Sequence, residues 1–74
     1  MSRGVVNVWN EEDGWGVITV EPQGVDVWAH FSVIEMTGYR TLSPGGIVEI
    51  EYERGQQDGY DYRATSVRLV TDID

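Results

Sequence analysis

The stretch WGVITVEPQGVDVWAHF, Trp15 to Phe31, decides how the chain folds. Its first arm, Trp15 to Val20, alternates with a period of two, so Gly16, Ile18 and Val20 share one face and Trp15, Val17 and Thr19 the other. Pro22 and Gly24 then break the run. The second arm, Asp26 to Phe31, sets the small apolar Val27 and Ala29 on one face and Trp28 with His30 on the opposite one. Laid antiparallel, the two arms form a sheet with a small aliphatic inner face and a ring-bearing outer face. Strict alternation puts Phe31 inside, so its joining the outer rings needs a twist or bulge at the strand end.

Strand signals continue on both sides of this pair. Gly4 to Asn10, rich in Val and Trp, runs into Glu11-Glu12-Asp13-Gly14, where Asp-Gly marks a tight turn. Beyond Phe31, Ser32-Val33-Ile34 is long enough for a single turn only. Glu35 to Gly46, containing Gly38, Pro44 and paired glycines, reads as a long connection. From Ile47 the pattern is clean: Val48, Ile50 and Tyr52 face one way, while Glu49, Glu51 and Glu53 form a solvated opposite face. Arg54 to Asp61 reads as a polar loop, and Arg63 to Val70 supplies a fifth strand. No window repeats apolar residues at helical spacing, so the class is all-β. Five short strands with a long connection between the third and fourth suit a small Greek-key barrel, and an open SH3-like barrel fits the same periodicity.

Seventy-four residues suit one domain, taken as residues 1–74 with its core between about residues 4 and 70. The absence of cysteine excludes a disulfide framework, thiol chemistry and cysteine-ligated zinc. Thirteen acidic residues against five arginines and no lysine leave a formal charge of −8. That charge favours solubility and repels polyanions within a screening length of about 8 Å. Taken alone it argues against nucleic acid. Three Trp, four Tyr and one Phe are more than a disordered chain of this length carries. No stretch approaches the roughly 18 apolar residues of a membrane span, and Met1-Ser2-Arg3-Gly4 lacks the apolar block of a signal peptide. A cytoplasmic protein with no membrane partner is expected.

Trp15, Trp28 and His30, with Phe31 at the strand end, make a contiguous ring-bearing patch, which soluble monomers seldom leave unused. Unpaired bases suit it, because each can stack on an aromatic for roughly 1 to 3 kcal/mol whatever the sequence. Inverting the sheet would bury His30 and expose Ile18 and Val27, a costlier arrangement. No second His or Cys stands at metal-ligand spacing from His30. Neither Glu11-Glu12-Asp13 nor Asp58 with Asp61 has the alternate-ligand spacing of a calcium loop. The acids fall in turns and on a solvated strand face, where no carboxyl is desolvated for acid-base work. Gly14-x-Gly16 alone is too common to mark a phosphate loop. The expectation is therefore a non-enzymatic protein with no cofactor and no metal. A rival is a protein-interaction module whose aromatic groove holds a basic or proline-rich peptide.

Two motifs in order carry a family resemblance. Gly14-Trp15-Gly16-Val17-Ile18 resembles the first ribonucleoprotein motif of cold-shock domains, Lys-Gly-Phe-Gly-Phe-Ile, and Val27-Trp28-Ala29-His30-Phe31-Ser32 resembles their second, Val-Phe-Val-His-Phe-Ser. The likeness extends from Gly4-Val5-Val6 and Asn10, through Gly38-Tyr39-Arg40-Thr41-Leu42, to Gly45, Val48 and the closing strand. It implies a five-stranded antiparallel Greek-key barrel of the oligonucleotide-binding (OB) type. It also implies that the chain binds single-stranded RNA or DNA, pyrimidine-rich, as a monomeric bacterial RNA chaperone or cold-shock-type regulator of gene expression.

Carried over position by position, the family's stacking platforms fall on Trp15, Val17, Trp28, His30, Phe31 and Tyr39, with Val17 replacing an aromatic. The usual exposed tryptophan position holds Val8, and Trp9 is expected to substitute for it in part. Asn7 and Val5 stand where lysines are usual, and Asp13 just before the motif glycine, so Arg40 is the one cation in matching register. Gln56 to Tyr62 reads as a turn longer than the family's. Tyr60 or Tyr62 would extend the stacking surface from it, with ordinary packing or solvent exposure the favoured alternative, and the flanking Arg54 and Arg63 are the remaining phosphate candidates, equally placed to pair with nearby carboxylates. Four or five platforms at roughly 1 to 3 kcal/mol each, against an association cost of roughly 4 to 15 kcal/mol, give an expected micromolar affinity.

Overall fold

Alternation becomes strand wherever one face can be buried. The computed structural model describes residues 2–35 and 41–70. Its strands are β1 (Ser2–Asn10), β2 (Trp15–Glu21), β3 (Val25–His30), β4 (Ile47–Gln57) and β5 (Tyr60–Leu69), with a 3-10 turn at Phe31–Val33. They close into a barrel in the order β1-β2-β3-β5-β4, sealed where Ser2 to Val5 of β1 pair with Ile50 to Ile47 of β4. This closed five-stranded order is the OB arrangement. The expectation of an antiparallel barrel needs one correction: β3 and β5 run parallel, paired at Trp28 and Arg63. The reason is directional. Each of the other four ladders is antiparallel, so the odd-numbered strands all run the same way, and closing β3 on β5 must join two of them.

The inner face predicted for β2 and β3 is the core. Ile18, Val20, Val27 and Ala29 pack with Val6, Ile34, Leu42, Val48, Ile50, Ala64 and Val67, and none is more than 7% exposed. Burying each branched aliphatic side chain contributes about 1.5–3 kcal/mol before ordering costs. Glu49, Glu51 and Glu53 lie outside, as the alternation requires.

Three register shifts interrupt the ladders, one of them on β4 between Arg54 and Gln57. On β1, Val6 pairs with Ile18 and Val8 with Val17, so Asn7 is an extra residue and the alternation flips across it. On β5, Ser66 pairs with Glu51 and Ala64 with Tyr52, which leaves Thr65 extra; its hydroxyl donates to the Glu51 carbonyl at 3.1 Å.

The polar loop expected at Arg54 to Asp61 is instead strand: β4 and β5 form a hairpin closed by Asp58 (φ 50°) and Gly59 (φ 87°). Positive φ at both central residues is a type I′ turn, and Asp-Gly is its preferred pair. Beyond Tyr52 and Tyr62 the two arms bury no core residue, so neither shows the apolar alternation that marks a half-buried strand.

The connection after β3 is pinned at both ends. The Glu35 N–H donates to the Val67 carbonyl at 2.7 Å, and the Val6 N–H donates to the Gly46 carbonyl at 2.9 Å. No helix among the described residues is long and apolar enough to cross a membrane.

Candidate functional site

The β2–β3 ladder sets Trp15 opposite His30 and Val17 opposite Trp28. Large rings on the outer face then meet across the strands. Trp15 and Trp28 stack with centroids 6.2 Å apart and planes 24° apart, and Trp28 and His30 stack at 6.0 Å and 21°. Phe31 tilts against His30 at 4.5 Å and 43°. The result is a continuous row of four rings, three of them half-buried and the last, Phe31, 41% exposed.

Phe31 joins this row because the strand ends there. His30 is extended (φ −98°, ψ 151°) and caps the 3-10 turn, its Nδ1 accepting from the Ser32 N–H at 3.2 Å and lying 2.9 Å from the Ser32 hydroxyl. The turn releases Phe31 from the strand's alternation and supplies the departure the sequence required. A backbone N–H only donates, so Nδ1 is the acceptor, and the neutral imidazole carries its proton on Nε2. The Phe31 N–H donates to the Gly14 carbonyl at 2.8 Å, which ties the end of the row to the β1–β2 turn. A side chain at Gly14 would be strained: its φ is +77°, and a Cβ would stand 2.9 Å from the Phe31 ring.

Other expected platforms fall elsewhere. Val17 does lie on the ring-bearing side, outside the core cluster, but is only 3% exposed between its ladder neighbours Val8 and Trp28. A valine is too short to reach past them, so it supports the row and offers no stacking surface. Trp9 is a clear correction. It pairs with Gly16 and packs against the core, and a Cβ on Gly16 would collide with its ring and with the Val8 carbonyl. The extra residue Asn7 turns Trp9 inward and Val8, 49% exposed, outward. Tyr60 stands at the hairpin tip opposite Gln57 and takes part in no ring contact of the row. Of the hairpin tyrosines, Tyr62 meets Tyr52 edge-on at 5.7 Å and lies 5.6 Å beneath the Arg54 guanidinium. Tyr39 and Arg40 lie outside the described residues.

Arg63 does border the row, as the β5 partner of Trp28. Its guanidinium is engaged by Glu53, with Nη2 3.0 Å and Nε 3.1 Å from the same Oε2. Arg3 pairs with Glu49 at 3.9 Å and Arg68 with Glu35 at 3.3 Å. Among the described residues, Arg54 is thus the arginine without a carboxylate partner. The Trp28 Nε1–H is enclosed without a hydrogen-bond partner. No group of three potential metal ligands occurs among the described residues.

Two participants escaped the sequence reading. Ser32 orients His30 and had a signal, standing two residues on in the same motif. Glu53 engages Arg63 across the β4–β5 ladder, and alternation alone gives no register that would set these two residues opposite each other.

Comparison with known proteins follows the same residues. The family model described as the 'Cold-shock' DNA-binding domain matches residues 2–70. The cold shock-like protein CspD of Escherichia coli (strain K12) is 38% identical over 60 residues, covering 81% of each chain. The major cold shock protein of Streptococcus pyogenes serotype M1 is 44% identical over 57 residues, covering 77% of this chain and 84% of its own.

Proposed function

Because the chain belongs to the cold-shock domain family, we propose that it binds single-stranded RNA and DNA as a cold-shock-type RNA chaperone, holding unpaired bases on the row Trp15, Trp28, His30 and Phe31. The observation that supports this reading is the row itself: four touching rings on the outer side of β2 and β3, the face by which OB barrels take oligonucleotides. Phe31 offers the most open ring, and the Nε2–H of His30 is a donor for a base carbonyl or a phosphate oxygen. Tyr39 and Arg40 enter the proposal through their motif match, and Arg63 through its place beside Trp28.

Pyrimidine-rich strands are the proposed ligands, since such preferences come from stacking strength and backbone flexibility and need no base-edge readout. The protein acts as a single domain, a cytoplasmic monomer without enzymatic activity. Binding is stacking-driven and micromolar, because three of the described arginines already face carboxylates.

Tryptophan fluorescence during titration with a short oligothymidylate and, separately, a polyproline peptide tests the reading. Quenching by the oligonucleotide alone is expected. Quenching by the peptide alone, or indole signals that respond to neither, overturns it.

A further inference from the structure

Among the described residues, the arginine paired with the ring row is engaged by a carboxylate. Arg63 is the ladder partner of Trp28, and in a parallel pair the two side chains share a face, so Arg63 stands beside the stacking surface on β5 while its side chain lies over β4. Both Nη2 and Nε lie within about 3 Å of one carboxylate oxygen, Glu53 Oε2, from the facing position on β4. Gly55, two residues further along β4, leaves room for the arginine stem: a Cβ there would stand 3.1 Å from Nε and 3.3 Å from Cδ. Glu53 thus occupies the position that a nucleic-acid phosphate would take on Arg63, and presents an anion to an approaching strand.

We propose that Glu53 is an affinity-setting residue that competes within the molecule for Arg63, keeping its charge from the phosphate backbone and leaving base stacking to carry recognition. The inference rests on the proposed nucleic-acid function. It explains how a ring row fit for unpaired bases can belong to a weak, weakly salt-dependent binder. An exposed ion pair is a small barrier, and breaking it costs a factor of a few in affinity. The device tunes affinity and does not block binding.

A double-mutant cycle with oligothymidylate tests it, using Glu53→Gln, Arg63→Gln, their combination, and Glu51→Gln as a control that removes one charge from the same strand face. Glu53→Gln is expected to tighten binding about fivefold and to steepen the slope of log affinity against log salt by about 0.7, the share of one phosphate contact on a single strand. Arg63→Gln is expected to weaken binding less in the wild type than in the Glu53→Gln background, where it abolishes the whole gain. Equal tightening by Glu51→Gln, or a gain that survives loss of Arg63, would leave only a general charge effect and overturn the competition. Wild-type binding with Glu53→Gln unchanged in affinity and slope overturns the inference alone. Absence of binding by the wild type and every variant overturns the functional reading and the inference with it.

Discussion

Trp28 touches both neighbouring rings of the row, with Val17 beneath it on β2 and Arg63 beside it on β5. Trp28→Ala is expected to weaken oligothymidylate binding by about 1–3 kcal/mol, the worth of one stacked base, while thermal unfolding stays cooperative. Loss of the cooperative melt would instead show that Trp28 belongs to the core. A second residue reports on the connection after β3. The Glu35 carboxyl is held below its ordinary value, first by the Ser66 hydroxyl at 2.6 Å and then by Arg68. A carboxyl lowered by folding stabilises the native state above its unfolded value and loses that contribution as pH falls through the folded one. The stability gap between wild type and Glu35→Gln in urea unfolding is therefore expected to hold at neutral pH and narrow below about pH 4. A gap unchanged between pH 7 and pH 3 would mean that the bond contributes nothing to folding.

Among the elements, β2 and β3 were legible because one face of each is buried and the other carries rings, so a period of two separates them cleanly. β1 misled at Trp9, since a bulge leaves no compositional trace: Asn7 is an ordinary polar residue in an apolar run, yet it exchanges the faces of everything after it. The outer arms of the β4–β5 hairpin look like loop in the sequence because alternation reports burial, and they bury no core residue. Asp58-Gly59, the signal that did survive, lay inside that supposed loop. Phe31 depended on a strand end that alternation cannot locate. Trp9 and Gly16 also bear on stability together. Gly16→Ala drives a methyl into the Val8 carbonyl and the Trp9 ring, and is expected to cost about 1–3 kcal/mol in denaturant unfolding as overpacking. An unchanged midpoint would show that β1 slides away at no cost.

For the molecule as a whole, the formal charge of −8 sets the context in which the ring row works. With one or two arginines near the ligand, the salt slope is expected to lie between zero and about −1.4, measured by titration at 50 and 200 mM salt, those concentrations being roughly the span over which polybasic binders lose most of their affinity. A slope steeper than about −3 would require phosphate contacts that the paired arginines do not supply. The thin parallel ladder between β3 and β5 has a consequence of its own, because its one paired position, Trp28 with Arg63, underlies the ring row. On the proposed site, a strand lying over both residues would straddle the least-stitched closure of the barrel and act as a clasp across it. Occupancy and resistance to unfolding are then expected to rise together.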